Sequence, residues 1–523
     1  MMKYQALTIL FTVIAFTAMT SLPETAISAP AKTTQQQVIK HKRESFTFHS
    51  KALDAISTCT VFTPDPMVKG ERYPVLYLLH GYSGDNNDWA DRTSCTLALT
   101  NKKMIVVLPN GDYKGWYVDS PLIKEYQYDS LVAKDVVAEI DQRYPTIAKR
   151  EARAVAGLSM GGHGAITLAE KHPDVFCSAS SLSGVLTLHD WLPKYYLEEL
   201  LGPTRKEKAW ADNCAYCLSD TLTTANIEIM FDCGTSDICY NGSAELDEKL
   251  TALGVKHTFN RTYPGVHSWA YWDEHLPEHV LFHYNNMTEK LSGKNMKIDN
   301  STMTPQQKLY KKRWLQFEKE TATYYDDPKA TSPIVLLGSS TLQIFNEKEL
   351  MPGLPVVNRG ISGDRIGIDN QPGISHRIYN TVIKLKPRAI IINNGTNDLA
   401  HTAKTGTPKT REVIDEYRWV VARLLKELPN CHIFINSCHP TNDSSATIAP
   451  FIWQYNILLQ NLAKEMGDHV HYIDHANAVK DENGLLKKEF AADGLHLNAK
   501  GNEVLRDKIM EALKEQGILD GLQ

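Results

Sequence analysis

Gly157-Leu158-Ser159-Met160-Gly161-Gly162-His163-Gly164 lies between the apolar run Ala152-Arg153-Ala154-Val155-Ala156 and Ala165-Ile166-Thr167-Leu168-Ala169-Glu170-Lys171-His172-Pro173. The first flank reads as a short buried strand and the second as a helix stopped by its proline. Strand, Gly-x-Ser-x-Gly and helix in that order form a nucleophile elbow. The turn is too sharp for side chains beside the serine, so glycines surround it. Ser159 is then held in a strained conformation with its hydroxyl pushed out above the sheet. The N–H of Met160, the next residue, is placed to bind an oxyanion. The competing reading is a glycine-rich turn before a helix.

Other strands lead outward from this turn. Lys40 to Thr63 reads as an opening strand pair. Arg72 to Gly81 is a strongly apolar strand ending in His80-Gly81, followed by a polar loop from Tyr82 to Trp89. A strand ending there is where an enzyme of this architecture places its second oxyanion donor, here the N–H of Tyr82. Met104 to Pro109 is a further buried strand. The aromatic loop Gly115 to Pro121 either lines a pocket for a planar group or forms a surface cluster. Leu131 to Tyr144 has helical spacing. Ile227 to Gly234 is a strand running into Thr235-Ser236-Asp237, and Asp237 is the expected acid, with Asp232 and Glu245 as competitors. A helix (Ser243 to Leu253) and a strand (His257 to Tyr263) precede Pro264-Gly265-Val266-His267-Ser268-Trp269, which supplies a histidine in the order Ser, Asp, His. His275, His279 and His283 recur every four residues. They are read as a polar helix face rather than a metal stripe, because no carboxylate or cysteine motif joins them.

Residues from about 45 to 285 resemble the esterase family of α/β-hydrolases that includes feruloyl esterases, acetylxylan esterases, S-formylglutathione hydrolase and bacterial mycolyltransferases. The resemblance rests on His80-Gly81, Gly157 to Gly162, Cys233-Gly234-Thr235-Ser236-Asp237 and Gly265-Val266-His267-Ser268-Trp269. It implies Ser159 as nucleophile, His267 as base and Asp237 as the orienting acid.

The second half repeats strand and helix with different motifs. Strands are expected at Pro333 to Gly338, Val356 to Gly360, Arg388 to Asn394, Cys431 to Cys438 and His469 to Asp474. Helices are expected at Pro305 to Glu320, about Arg365 to Leu385, and Lys409 to Leu428. Alternation of this kind implies a parallel sheet covered on both faces, with polar groups converging at the carboxyl ends of its strands. Asp493-Gly494-Leu495-His496 sets an acid three residues before a histidine that it can orient. Gly338-Ser339-Ser340, Asn358 to Asp364, Asn394-Gly395-Thr396-Asn397-Asp398 and Asp493 to Asn498 resemble, in order, the blocks of the SGNH (GDSL-like) lipase and acylhydrolase family over about residues 330 to 515. Ser339 stands where that family commonly has aspartate. The resemblance makes Ser340 the nucleophile, with Asp493 and His496, and makes the Gly363 N–H and the Asn397 amide oxyanion donors.

The expected architecture is therefore α/β throughout. An α/β-hydrolase domain (40–285) precedes a polar linker (286–307) and an SGNH domain with a flavodoxin-like parallel sheet (308–523). Lys3, the apolar stretch Ala6 to Met19 and Ala29-Pro30-Ala31 read as a signal peptide over residues 1–31, so the chain is expected to be exported, periplasmic or secreted, with no stable membrane insertion after cleavage. Its 523 residues are too many for one core, and 42% hydrophobic and 22% charged residues fit a soluble globular chain. A formal charge of −5 leaves no basic footprint for nucleic acid. Nine cysteines leave at least one without an intramolecular partner, and Cys214-x-x-Cys217 reads as a local disulfide or two buried thiols rather than a zinc site. The combined expectation is a bifunctional carboxylic-ester hydrolase acting on acylated polysaccharide, feruloyl and acetyl groups on xylan being implied by the resemblances, with no cofactor and no metal. Acyl transfer by the first half, or one half kept only for carbohydrate binding, are the alternatives.

Overall fold

In the computed structural model, residues 38–522 are described except for 189–194, 205–207, 294–302, 326–330, 369–372, 407 and 443–446. The expected signal peptide lies outside the described residues.

The first half is built on eight strands: β1 (Lys40–Ser50), β2 (Ala55–Asp65), β3 (Val75–Leu79), β4 (Ile105–Pro109), β5 (Arg153–Leu158), β6 (Ser178–Leu182), β7 (Glu228–Asp232) and β8 (His257–Asn260). Their order is β1-β2-β4-β3-β5-β6-β7-β8. The hairpin β1–β2 and the pair β2–β4 are antiparallel, and every pair from β4 to β8 is parallel. β3 and β4 are buried along their whole length, as expected of strands covered on both faces. The helices that matter here are α1 (Met160–Lys171), α2 (Tyr240–Leu253) and α3 (Trp269–Leu291).

The second half follows with α4 (Pro305–Tyr325), β9 (Ile334–Gly338), α5 (Ser340–Gln343), β10 (Val356–Gly360), β11 (Ala389–Asn393), β12 (His432–Asn436), β13 (Val470–Ile473) and α6 (Ala499–Glu515). The sheet order β10-β9-β11-β12-β13 is parallel throughout. Counted within this half it is 2-1-3-4-5, the flavodoxin-like order, with the topological switch between β9 and β11.

The two sheets belong to one compact unit, Ile39–Gln523, and charged groups join them directly. The fully buried Glu248 of α2 accepts the N–H groups of Tyr379 (2.7 Å) and Asn380 (2.9 Å). Lys384 pairs with Glu245 at 2.7 Å, and Arg261 with Glu416 at 2.6 Å. Glu245, one competitor for the triad acid, is thereby committed to the contact between halves.

Four expectations need correction. The first-half boundary at 285 falls inside α3, because Met287 is fully buried in the core and Lys290 reaches Glu228, whatever the polar composition around them. Among the described residues, the helix expected over about 365–385 is replaced by short helical turns at Ile374–His376, Ile378–Thr381 and Ile383–Leu385. There Gly367 adopts φ +117°, and the buried ion pair of Arg377 and Asp364 (2.7 Å) replaces helical bonding. All nine cysteines are free thiols, with Cys214 buried and Cys217 exposed, so the Cys-x-x-Cys forms neither of the expected arrangements. The polar histidine face of α3 is turned largely inward. His279 and His283 are fully buried, and His275 stacks on Tyr263.

That histidine network explains how α3 is fixed to the sheet. His279 bonds Asp232 of β7 through Nε2 (2.8 Å) and Ser180 of β6 through Nδ1 (2.8 Å). His283 bonds Ser180 through Nε2 (2.7 Å) and Ser178 through Nδ1 (2.6 Å). Burial keeps His283 well below the ordinary imidazole range and therefore neutral. Asp232, the other competitor for the triad, is consumed here. Removing one partner of such a buried pair strands the other. His279→Leu is expected to cost about 3 kcal/mol, read as a lower urea midpoint, while an unchanged midpoint would show that the network does not hold α3.

Candidate active sites

Ser159 occupies the junction of β5 and α1 with φ 52° and ψ −116°, far from the basins that ordinary residues prefer. Its N–H donates to Leu182 O (3.0 Å), and its own carbonyl accepts from His163 N–H (3.0 Å) and Val185 N–H (3.3 Å). The flanking glycines are required by contact. A Cβ on Gly157 would lie 2.3 Å from Gly161 O, and one on Gly161 would lie 2.5 Å from the carbonyl oxygens of both Leu79 and His80. The elbow therefore abuts the end of β3 with backbone on backbone.

The structure brings the three expected side chains together. Ser159 Oγ is 2.9 Å from His267 Nε2, and His267 Nδ1 is 3.0 Å from each oxygen of Asp237. The carboxylate accepts at Nδ1, so the ring proton sits there and Nε2 is left to accept the serine proton. Asp237 is fully buried and is steadied by the N–H of Cys239 at 2.8 Å. The Trp272 ring meets the imidazole edge-on at 4.9 Å.

Met160 opens α1, so its N–H is among those that a helix leaves without an intrahelical acceptor. Tyr82 follows Gly81, where an added Cβ would lie 3.5 Å from Ser159 Cβ. The loop carrying Tyr82 is pinned by His80. Its Nε2 accepts from Gly111 N–H (2.8 Å), which leaves Nδ1–H to donate to Gly81 O (2.8 Å). Burial lowers the His80 pKa, so this neutral tautomer persists.

A cavity of about 430 Å³ opens over Ser159, walled by Tyr82, Trp116, Tyr195, Trp269 and Trp272. The aromatic loop is thus a pocket wall rather than a surface cluster. Trp116 and Tyr117 hold positive φ (55° and 56°), fixed by Trp116 Nε1 donating to Tyr195 O (2.8 Å) and by the Tyr117 hydroxyl donating to His80 O (3.2 Å). Sequence reasoning missed Trp272 and Arg92. Trp272 falls one helical turn beyond Trp269, a spacing that was legible. Arg92, set over the Trp269 ring at 5.1 Å, is brought in only by packing between distant segments.

In the second half, Ser340, Gly363 and Asn397 follow the carboxyl ends of β9, β10 and β11, astride the topological switch. Ser339 is buried and Ser340 half-buried. Gly363 adopts φ +76°, and an added Cβ would strike the Gln306 side chain at 2.6 Å. Asn397 Nδ2 donates to Asp364 O at 2.9 Å, tying these turns together. Asp493 Oδ2 holds His496 Nδ1 at 2.7 Å, while its Oδ1 accepts the N–H groups of His496 (2.7 Å) and Leu495 (3.0 Å). The His496 amide and ring keep the Asp493 carboxyl below the usual carboxylate range. Among the described residues no hydrogen bond joins Ser340 to His496. Both members of the Asp493–His496 pair are solvent-exposed, so packing does not press the imidazole onto the serine as it does in the first half.

Comparison with known proteins gives a separate match for each half. Residues 50–283 match the family described as "Putative esterase", and residues 343–504 the "GDSL-like Lipase/Acylhydrolase family". An acetyl esterase of Caldicellulosiruptor saccharolyticus is 25% identical over 250 residues, 44% of this chain and 93% of that protein. An endo-1,4-beta-xylanase/feruloyl esterase of Xylanibacter ruminicola is 30% identical over 181 residues, 31% of this chain and 25% of that protein, so the chain spans a quarter of its length. A solved ferulic acid esterase is 26% identical with a TM-score of 0.42, covering 47% of this chain and 99% of its own. The chain is thus similar to esterase-family proteins over its first half and to GDSL-like lipases and acylhydrolases over its second.

Proposed function

We propose that the protein is an exported enzyme that removes two kinds of acyl group from plant cell-wall xylan, aromatic (feruloyl) groups at Ser159 and acetyl groups at Ser340. The observation that carries the reading is the assembled Ser159–His267–Asp237 line opening into an aromatic-walled cavity. Its volume is within the range of sites that enclose small ligands, and its flat walls suit a planar acyl group. The name of the feruloyl esterase relative supports the aromatic ester type, and the GDSL-like acylhydrolase match supports a second ester site. Two ester types on one polymer also give a reason to keep both sites on one chain, since holding the polymer at one site raises its effective concentration at the other.

At the first site, Ser159 Oγ attacks the ester carbonyl carbon while His267 Nε2 takes its proton. Asp237 keeps the other ring proton at Nδ1 and stabilises the imidazolium. The N–H groups of Met160 and Tyr82 receive the oxyanion. When the tetrahedral centre collapses, the C–O bond to the sugar breaks and His267 protonates the departing alkoxide. Water then repeats the sequence on the acyl-serine. At the second site, Ser340, His496 and Asp493 take the corresponding parts, with Gly363 N–H and the Asn397 amide as oxyanion donors. The Ser340–His496 contact is expected to tighten around substrate, as catalytic hydrogen bonds that are loose in a free enzyme do.

Ser159→Ala is expected to abolish hydrolysis of methyl ferulate and to spare that of acetylated xylan, and Ser340→Ala to do the reverse. Chromatography of the released acids checks this, and the reading fails if neither substitution lowers either activity. Asp237→Asn is expected to lower kcat on methyl ferulate about 10⁴-fold with little change in KM, because the wrong imidazole tautomer then faces the serine.

A further inference from the structure

A thiol stands against the rear of the His267 imidazole. Cys239 is buried, its Sγ is 3.9 Å from His267 Nδ1, and its ligand atom, with those of Asp237 and His267, forms a group lying within 4.8 Å of one another. The hydrolytic sequence above gives this thiol no task. We propose that Asp237, Cys239 and His267 bind a zinc-like divalent cation, and that occupancy of this site switches the Ser159 site off.

The donor chemistry selects the ion. One carboxylate oxygen, one imidazole nitrogen and one thiolate suit a borderline-soft cation such as Zn²⁺ better than the oxygen-seeking Mg²⁺ or Ca²⁺. Bonds of about 2.0–2.3 Å place neighbouring donors of a tetrahedron roughly 3.3–3.8 Å apart. The observed 3.0 Å between Nδ1 and the carboxylate and 3.9 Å between Nδ1 and Sγ differ from that by only tenths of an ångström. The fourth position is left to water. Two separate segments supply the ligands, Asp237 and Cys239 from the turn after β7 and His267 from the loop after β8, so the site exists only in the folded chain. The imidazole is the partly exposed member, 24% open, and the other two ligands are buried behind it.

Proton balance explains the inhibition. In the resting site Nδ1–H faces Asp237 and the Nε2 lone pair accepts from Ser159. The cation bonds through the Nδ1 lone pair, and the ring proton passes to Nε2. The thiol gives its proton to water as the sulfur–metal bond forms. One proton is released, the carboxylate and thiolate neutralise the two positive charges, and nothing is oxidised or reduced. Nε2–H now donates toward Ser159 Oγ instead of accepting from it, so the serine has lost its base.

The loss of activity rests on the triad reading of Ser159, whereas the binding does not. The test uses the full chain carrying Ser340→Ala, with hydrolysis of p-nitrophenyl acetate followed during titration with zinc chloride and then with EDTA. Zinc is expected to inhibit and EDTA to restore activity. Cys239→Ser and Cys239→Ala keep the backbone N–H that steadies Asp237. Both are expected to stay active without zinc and to raise the half-inhibiting concentration at least about tenfold. In parallel, cobalt(II) added to the Ser159→Ala chain is expected to give a thiolate-to-cobalt charge-transfer band that Cys239→Ser removes. Equal zinc sensitivity with and without the Cys239 thiol would overturn the proposal. No cobalt band with a zinc-insensitive enzyme would overturn the site alone, and a cobalt band with unaltered hydrolysis would overturn the switch and count against the triad reading.

Discussion

One residue's backbone governs the first half of this molecule. Ser159 sits at φ 52° and ψ −116° because β5 must end and α1 begin within a single residue. A conformation of this kind costs about 1–3 kcal/mol, and it persists only where its surroundings over-determine it. Here they do. Leu182, His163 and Val185 hold both backbone polar groups of Ser159, and Gly157 and Gly161 let the turn press against β3 without side chains between. The same press fit brings Gly81, and with it the loop of Tyr82, alongside the serine. The nucleophile and the neighbourhood of its oxyanion donors are thus consequences of one steric solution.

The second half organises its polar residues differently. Ser340, Gly363 and Asn397 gather at the switch point because adjacent parallel strands all end there. The histidine comes from a distant loop before α6, held to Asp493 but not pressed down by neighbours. In the first half the histidine is wedged between a buried carboxylate and the edge-on Trp272 ring. The contrast follows from burial: a dry acid fixes its imidazole, while an exposed pair is screened by water and fixes only its own geometry.

Between the halves, buried charge makes direct contacts. Glu245 and Glu248 on α2 would each carry a heavy desolvation cost if left alone, and the second half supplies the lysine and the backbone N–H groups that satisfy them. The halves are accordingly joined by obligatory partners as well as by the covalent chain. This was hidden in the primary structure because an acidic residue on a helix reads as solvent-facing until its partner, more than a hundred residues away, is in place.

The strands themselves, the elbow and the candidate positions of Ser159, His267, Asp493 and His496 were legible from local pattern. Each depends on residues adjacent in the chain: apolar runs set strands, glycines permit the turn, and a three-residue spacing lets Asp493 reach His496. Local pattern could not decide which of three acids would meet His267. Asp232 and Asp237 lie within one strand exit, and only packing against α3 sends the first to His279 and leaves the second for His267. Nor could it reveal that His279 and His283 are interior, since a four-residue period marks a helix face but not what covers it. Local sequence sets what each segment can form, and tertiary contact decides which polar groups lose their water and must find each other.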